Sequence, residues 1–326
     1  MSESILVTGG AGYIGSHTCV ELLRAGYDVA ILDNLSNSRQ SVLRRIEKIS
    51  GRKIEFFEGD ILDRSLVDSL LAEADVVVHF AAESHVDRSI LGAADFVMTN
   101  VVGTQTLLDS ALHHGIEHFV HVSTDEVYGS IERGSWDEER PLEPNSPYSA
   151  SKAASDLLAR SYFRTHQLPV SITRCSNNYG PYQFPEKVIP LFVTNLMDGH
   201  NVPLYGEGAN IRDWLHVDDH CRAIHMVQQK GRPGEVYNIG GGTELTNREL
   251  TEQLLQACGA TWESVVNVED RKGHDLRYSV DIGKVQRELG YEPRIDCARG
   301  LADTVKWYTD NRQWWEPLKE RARLAR

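Results

Sequence analysis

A chain of 326 residues suits one large domain or two joined lobes, and its 41% hydrophobic and 25% charged residues are those of a globular protein. Its 34 lysines and arginines against 47 acidic residues give a formal net charge of -13, which argues against binding to nucleic acid or to an anionic membrane. Five scattered cysteines without a CxxC pair argue against disulfides and zinc ribbons. With no signal-peptide pattern and no run of membrane-spanning length, we expect a cytoplasmic protein.

Short apolar runs alternate with helical patterns in the first half of the chain. The sequence predicts strands at 5–8, 29–32, 54–57, 76–82, 119–122 and 170–173, and helices at 16–25, 96–113 and 150–164. This alternation predicts an α/β fold, a Rossmann-like doubly wound parallel sheet. Prolines become frequent after residue 177, so we expect one domain over 1–176 and a smaller mixed α/β lobe over 177–326, with some crossing of the chain between them. We expect a surface helix over 314–326.

A glycine-rich turn separates the first predicted strand from the first predicted helix. It reads Gly9-Gly10-Ala11-Gly12-Tyr13-Ile14-Gly15, and such a turn lets a pyrophosphate approach the helix amides. Asp33 ends the second predicted strand, roughly 20 residues downstream, where a carboxylate binds ribose hydroxyls and repels a 2′-phosphate. The pattern favours NAD over NADP as cofactor, and a purely structural junction between strand and helix is the alternative.

Tyr148 and Lys152 stand four residues apart in a predicted helix, and therefore on one face of it. A nearby ammonium favours the phenolate, so we expect Lys152 to lower the pKa of Tyr148 and make it a base. A surface tyrosine beside a solvated lysine is the alternative for such a pair in isolation. The preceding strand and the glycine-rich turn favour the catalytic interpretation.

The segment Ser123-Thr124-Asp125-Glu126-Val127-Tyr128-Gly129 follows the predicted strand 119–122, at the edge where open α/β sheets bind ligands. Neighbouring side chains of an extended strand point to opposite faces, so Asp125 and Glu126 serve one substrate only if the chain turns there. In a turn, the two carboxyl groups can divide acid and base work, with one kept protonated by burial and by its neighbour's charge. An exposed acidic loop is the alternative.

His216 and His220 have the i, i+4 spacing of some zinc ligands, with Asp218 and Asp219 between them. No HExxH pattern is present, and either aspartate can cap a helix that starts near His220. We therefore predict no metal site.

Eight longer strings carry a family resemblance. They are AAESHVDRSI (81–90), TNVVGT (99–104), STDEVYG (123–129), SPYSASKAASD (146–156), SNNYGPYQFPEKVIPL (176–191), IRDWLHVDDH (211–220), YNIGG (237–241) and GHDLRY (273–278). The chain thereby resembles the extended short-chain dehydrogenase/reductase superfamily and, within it, the dTDP-glucose 4,6-dehydratases. The first 75 residues or so, with TGGAGYIGSHTCVELLRAGYDV and LDNLSNS, look closer to the UDP-galactose 4-epimerases.

The resemblance implies an NAD-dependent lyase of deoxysugar biosynthesis that converts dTDP-glucose to dTDP-4-keto-6-deoxyglucose. Tyr148, assisted by Lys152 and Thr124, would take the proton of the sugar's 4-hydroxyl while hydride passes from C4 to NAD. Glu126 would then remove the C5 proton as Asp125 protonates the departing C6 hydroxyl, and hydride would return to C6. Asp125 must carry its proton before elimination, so we expect its pKa to be raised.

The resemblance also implies the binding residues of an NAD-binding domain (1–176) and a nucleotide-sugar-binding domain (177–326). The expected NAD contacts are Gly9, Gly12, Tyr13, Ile14, Gly15, Asp33, Asn34, Leu35, Ser36, Asp60, Ile61, Phe80, Ala81, Ala82, Ser84, Thr99, Tyr148, Lys152 and Asn178. The expected substrate contacts are Ser84, Thr124, Asn177, Lys187, Val188, Pro203, Tyr205, Arg212, Asn247, Arg271 and His274. Among these, Lys187, Arg212 and Arg271 would supply the positive charge that a diphosphate needs.

Three alternatives stay open beside this function. The first is that the substrate is UDP-glucose, since thymine and uracil differ by one methyl group, which contributes only ~1–3 kcal/mol of binding free energy in an apolar pocket. A nucleotide-sugar 4-epimerase needs the tyrosine and lysine but not two carboxyl groups, so Asp125 and Glu126 argue against it. A non-catalytic NAD-binding protein can dispense with Tyr148 or Lys152, and both are present. The family also implies a homodimer, through helices near 99–113 and 149–164.

Overall fold

The computed structural model describes residues 3–270 and 273–324 of the chain. The strands are β1 Ser4–Thr8, β2 Asp28–Asp33, β3 Glu55–Glu58, β4 Val76–His79, β5 His118–Thr124, β6 Val170–Cys175, β7 Asn177–Tyr179, β8 Val202–Tyr205, β9 Ile211–His216, β10 Val236–Ile239, β11 Glu244–Thr246 and β12 Val265–Val268. The helices are α1 Tyr13–Ala25, α2 Ser41–Ser50, α3 Arg64–Leu71, α4 Val86–Leu91, α5 Ala94–Phe96, α6 Thr104–His114, α7 Pro147–His166, α8 Val188–Met197, α9 Val217–Lys230, α10 Asn247–Cys258, α11 Gly283–Leu289, α12 Cys297–Asp310 and α13 Arg312–Leu324.

Seven strands form a parallel central sheet in the order β10-β6-β5-β4-β1-β2-β3. Apolar side chains cover both of its faces: Ile5 and Val7 of β1 belong to one buried cluster, and Leu6 between them belongs to the other. This confirms the predicted Rossmann-like doubly wound sheet. Because parallel strands all end at one edge, the residues after β1, β4, β5 and β6 meet there.

The second half of the chain contributes to both parts of the molecule. Strand β10 completes the central sheet beside β6, and α9 packs against α1. The remaining strands form a three-stranded sheet in the order β11-β9-β7 and a two-stranded parallel sheet of β12 and β8. The domain boundary between 176 and 177, with its crossing of the chain, stays a prediction.

Three elements differ from their predicted form. Strand β4 ends at His79, which pairs with Thr8, the last residue of β1, rather than at residue 82. The helix predicted over 96–113 runs from α5 through a π-helical segment at Val97–Gly103 into α6. The carboxyl-terminal helix is not merely superficial, because Trp315 is fully buried. Within the described ranges, no helix is both long and apolar enough to cross a membrane.

Candidate active site

The glycine-rich turn after β1 forms one wall of the site. Gly9 has φ +70°, and a Cβ there would lie 2.7 Å from the backbone nitrogen of Ala81. A Cβ on Gly15 would overlap the carbonyl oxygen of Gly9. Helix α1 begins after Gly12 without a side-chain cap and without an acidic residue in its first turn. Its amides are therefore open to a phosphate, and the turn fits a pyrophosphate-bearing dinucleotide.

Asp33 organises the loop after β2. Its Oδ2 accepts a hydrogen bond from the Ala11 amide at 3.0 Å, and its Oδ1 accepts from the Leu35 amide and the Ser38 hydroxyl, each at 2.9 Å. The Asn34 amide donates to Asp60 Oδ2 at 2.9 Å. A carboxylate has more acceptor sites than these three bonds use, so Asp33 can still accept from ribose hydroxyls.

The chain turns directly after β5, as the two neighbouring carboxyl groups require. Residues Asp125–Tyr128 form a 3₁₀ helix, and Thr124 caps it by accepting from the Glu126 amide at 3.3 Å. Asp125 is buried, and its Oδ2 has no hydrogen-bond partner among the described residues. Burial, reinforced by the charges of Glu126 and Asp213, raises the pKa of Asp125 well above its ordinary value. The raised pKa favours the protonated form of Asp125, which is the form that a general acid needs.

Tyr148 and Lys152 lie near the start of α7, where Ser146 and Ser149 form a capping box. Tyr148 is buried, and it shares a hydrogen bond with Thr124. Burial, followed by the charge of Glu126, raises the pKa of Tyr148, so the expected lowering by Lys152 is wrong for this structure. The Lys152 Nζ instead donates to the carbonyl oxygen of Val122 at 2.8 Å.

A buried ionic network lies beneath the lysine. Asp156, one turn after Lys152, contacts Arg174 Nε at 2.8 Å and His121 Nε2 at 3.3 Å, and all three of these side chains are fully buried. Burial opposes the ionised form of Asp156, but Arg174 and His121 lower the pKa of Asp156 to about 2. Burial lowers the pKa of Lys152, and the charge of Asp156 acts in the opposite direction. Asp156 therefore helps Lys152 to remain protonated.

One cavity of about 490 Å³ joins these walls. All five predicted catalytic residues line it: Thr124, Asp125, Glu126, Tyr148 and Lys152. So do all the predicted NAD contacts except Leu35, whose backbone has φ +56°. Of the predicted substrate contacts, Ser84, Thr124, Asn177 and Lys187 line it. The roles of these residues stay predictions, but the structure brings them to one place.

The other predicted substrate contacts lie outside the lining of this cavity. Arg212 is near enough for its charge to act on the pKa of Asp125, and its guanidinium lies 4.3 Å from the Tyr278 ring centroid. His274 packs edge-on against Tyr205, with ring centroids 6.0 Å apart. Val188 begins α8, Pro203 lies in β8 and Asn247 begins α10. Arg271 lies outside the described residues.

Several lining residues were missed by the sequence analysis. They are Leu32, Asn37, Ser38, Gly59, Glu83, Arg88, Val122, Ser123, Cys175, Ser176, Gln183, Phe184 and Glu186. Asn37 and Ser38 follow directly on the predicted stretch 33–36, so extending that loop by two residues would have found them. Arg88 and Glu186 come from segments far apart in the chain, but each lies within one of the strings that carry the family resemblance, 81–90 and 176–191.

His216 and His220 each make a hydrogen bond within the protein. Helix α9 begins at Val217, and His216 Nδ1 caps it by accepting from the Asp218 amide at 3.2 Å. The expected cap by an aspartate near His220 is therefore wrong. His220 contacts Asn178 Oδ1 at 2.9 Å, and burial lowers the pKa of His220 to about 3. The prediction of no metal at this pair stays a prediction.

The chain is similar to known proteins along almost its whole length. The family model described as GDP-mannose 4,6 dehydratase matches residues 6–304. A dTDP-glucose 4,6-dehydratase of Streptomyces antibioticus is 62% identical over 98% of this chain and 96% of its own length.

Solved structures show the same relationship. The dTDP-glucose 4,6-dehydratase DesIV of Streptomyces venezuelae, with NAD and dTDP bound, is 59% identical, with a TM-score of 0.93 over 97% of this chain and 99% of its own. The UDP-glucose 4-epimerase of Thermotoga maritima, with UDP-glucose, is 32% identical, with a TM-score of 0.88 over 94% of this chain and 99% of its own.

Proposed function

The chain belongs to the 4,6-dehydratase family, and we propose that it removes water from dTDP-glucose to give dTDP-4-keto-6-deoxyglucose, with NAD as its cofactor. The observation that carries this proposal is the turn after β5. It places the buried Asp125, whose pKa is raised, and Glu126 in the same cavity as Tyr148. Oxidation of a sugar carbon needs a base such as the tyrosine, whereas loss of water needs an acid and a base together.

The residues of the cavity divide the proton transfers of this reaction. Tyr148, hydrogen-bonded to Thr124, would receive the proton of the 4-hydroxyl, a step that requires its phenolate form despite the raised pKa. The ketone at C4 acidifies the C5 hydrogen, which Glu126 would remove. Asp125 would give its proton to the departing C6 hydroxyl, and its raised pKa supports that role. NAD, when bound, supplies a hydride acceptor for C4 and a hydride donor for C6.

The walls of the cavity support the binding of NAD. The open amides of α1 would hold the pyrophosphate, and Asp33 would hold the ribose. Because NAD would be regenerated in each turnover, we expect it to stay bound. For the diphosphate of the substrate, Lys187 lines the cavity and Arg212 lies near Asp125.

The bound nucleotide of the DesIV structure and the names of the relatives favour dTDP over UDP. A 4-epimerase would use Tyr148 and Lys152, but its reaction would give Asp125 and Glu126 no catalytic role. The likeness of the first 75 residues or so to epimerases stays a prediction, since the dehydratase relative matches almost the whole chain.

Mass spectrometry of dTDP-glucose incubated with the purified protein tests the function. A product lighter by one water is expected. A galactose isomer of unchanged mass would show that the protein is an epimerase. Water loss from UDP-glucose but not from dTDP-glucose would change the assigned substrate to UDP-glucose. No reaction with either sugar nucleotide would overturn the proposal and leave an NAD-binding protein.

We include a homodimer in the proposal because one surface exposes several large apolar side chains to solvent. Leu91 is 88% exposed and Leu157 56%, and Val97 and Met98 of the π-helical segment are also exposed. These side chains come from α4, α7 and the segment between α5 and α6, and α7 contacts both of the other two. A second copy of the chain would cover this surface.

Light scattering after size exclusion measures that assembly. Leu157→Glu should shift the protein from dimer towards monomer, because it would bury a charge in the interface. Val266→Glu, at an exposed apolar residue of β12, is the matched control and should leave the mass unchanged. A wild-type mass of one chain would refute the dimer.

The cysteines support a cytoplasmic location. All five are free, and four of them are buried. Free thiols persist in a reducing compartment, which is where nucleotide-sugar synthesis would supply the substrate.

A further inference from the structure

A second cavity, of about 890 Å³, lies on the other side of the glycine-rich turn. Helix α2, helix α13 and the loop around Tyr182 enclose it. The two cavities share five lining residues: Gly12, Tyr13, Asn37, Ser38 and Phe184. Its volume is in the range of small-molecule sites. None of the proposed proton transfers involves this second cavity.

One face of α2 points into the second cavity. Ser41 and Arg45 are four residues apart and share that face, and Ile46 and Ile49 continue it with apolar side chains. Helix α2 has neither a side-chain cap nor an acidic residue in its first turn. Arg39, just before the helix, also lines the cavity. Positive charge is thus concentrated around the amino-terminal half of α2.

The charges around the second cavity do not balance. Its carboxylates already have partners: Glu21 contacts His225 at 3.3 Å, Asp218 contacts His17 at 3.1 Å, and Asp219 contacts Arg222 at 2.8 Å. Arg39 and Arg45, by contrast, form no ion pair with any described residue. In a chain of net charge -13, two arginines without carboxylate partners in a concave site are suited to an external anion.

Aromatic rings form the opposite wall. Tyr182 lies 4.4 Å from Trp307 and 5.4 Å from Trp314, measured between ring centroids. The guanidinium carbon of Arg45 lies 4.5 Å from the Tyr182 centroid. Tyr182 has φ +66°, a backbone conformation that costs free energy in a bulky residue and that is frequent at ligand sites. Rings beside a cation suit a planar ligand that carries negative charge.

We propose that the second cavity binds a planar, phosphate-bearing small molecule of the nucleotide class. Arg39 and Arg45 hold the phosphate, and the rings around Tyr182 pack against the planar group. The site borders the active-site cavity, but none of the five predicted catalytic residues lines it.

Equilibrium dialysis of the NAD-loaded protein with labelled dTDP tests this proposal. Two equivalents per chain are expected for the wild type, one in each cavity. Arg45→Gln should weaken one of them by about tenfold or more, since it removes a charge-assisted hydrogen bond. Arg44→Gln, at the exposed neighbour on the same helix, is the matched control and should keep both equivalents.

The outcome does not depend on the proposed reaction. If the active site fails to bind dTDP, the wild type shows one equivalent that is still lost in Arg45→Gln. Binding that is identical in the wild type and in Arg45→Gln would overturn the second site. Thermal melting of both variants without nucleotide shows whether the folded state is intact, and Arg45→Lys should restore part of the affinity.

Discussion

Asp125 is the side chain whose replacement tests the proposed chemistry most directly. Asp125→Asn keeps the size of the side chain and removes the proton that the departing C6 hydroxyl needs. Loss of a positioned general acid slows a reaction by about 10²–10⁴, which is about 3–5 kcal/mol in activation free energy. Oxidation at C4 does not use this proton. Absorbance should therefore show reduced cofactor building up, while mass spectrometry shows slow loss of water.

The same substitution should change how stability depends on pH. Because burial raises the pKa of Asp125 in the folded protein, the folded chain holds this proton more tightly than the unfolded chain does. Its favourable contribution is full below the unfolded pKa of about 3.9 and is lost as pH rises through the folded pKa. The Asp125→Asn variant has no such loss. Its free energy of unfolding in urea should therefore rise relative to the wild type as pH rises above about 3.9.

Two results would refute this reasoning. Water loss at the wild-type rate in Asp125→Asn would remove Asp125 from the role of acid. A difference in unfolding free energy that is constant across the pH range would mean that Asp125 ionises like an exposed carboxyl group. Glu126→Gln is the companion variant: it should also let reduced cofactor accumulate, because the C5 proton is then not removed.

Two further predictions concern the scaffold. Asp156→Asn leaves the buried Arg174 without its carboxylate and should lower the free energy of unfolding in urea by about 3–5 kcal/mol. The control Asp137→Asn, in an exposed ion pair, should lower that free energy by less than about 1 kcal/mol. Equal losses of stability in the two variants would contradict this prediction. Gly9→Ala adds both a strained φ and an overlap with backbone, whereas Gly51→Ala adds the strained φ in open space. Both should lose stability, but only Gly9→Ala should also release NAD during gel filtration.

The central sheet was predictable because its signals are local. Each inner strand is a short apolar run, and the pattern continues through β5, whose seven residues are all buried. The turn after β5 was predictable by a different argument, from the need of two neighbouring carboxyl groups to reach one substrate. In both cases residues close in sequence carry the structural reason.

Other features depend on contacts between distant residues, and the sequence could not show them. Asp33 was expected to face ribose, yet it also ties down Ala11 from another segment of the chain. The pKa of Tyr148 depends on how deeply α7 buries the ring, which spacing along a helix does not reveal. The strands of the second lobe are short, and their pairing partners lie far apart in sequence.

The position of β10 has a consequence for how the protein is made. When a ribosome has released residues 1–176, strand β6 is already present, but its outer edge has no neighbour until Val236–Ile239 emerge. All residues of β6 are buried in the folded protein, and such a strand with an unpaired edge is a template for aggregation. Between the release of β6 and that of β10, the nascent chain therefore exposes an unpaired strand edge that is prone to aggregation. A translational pause during this interval should favour binding of the nascent chain by chaperones.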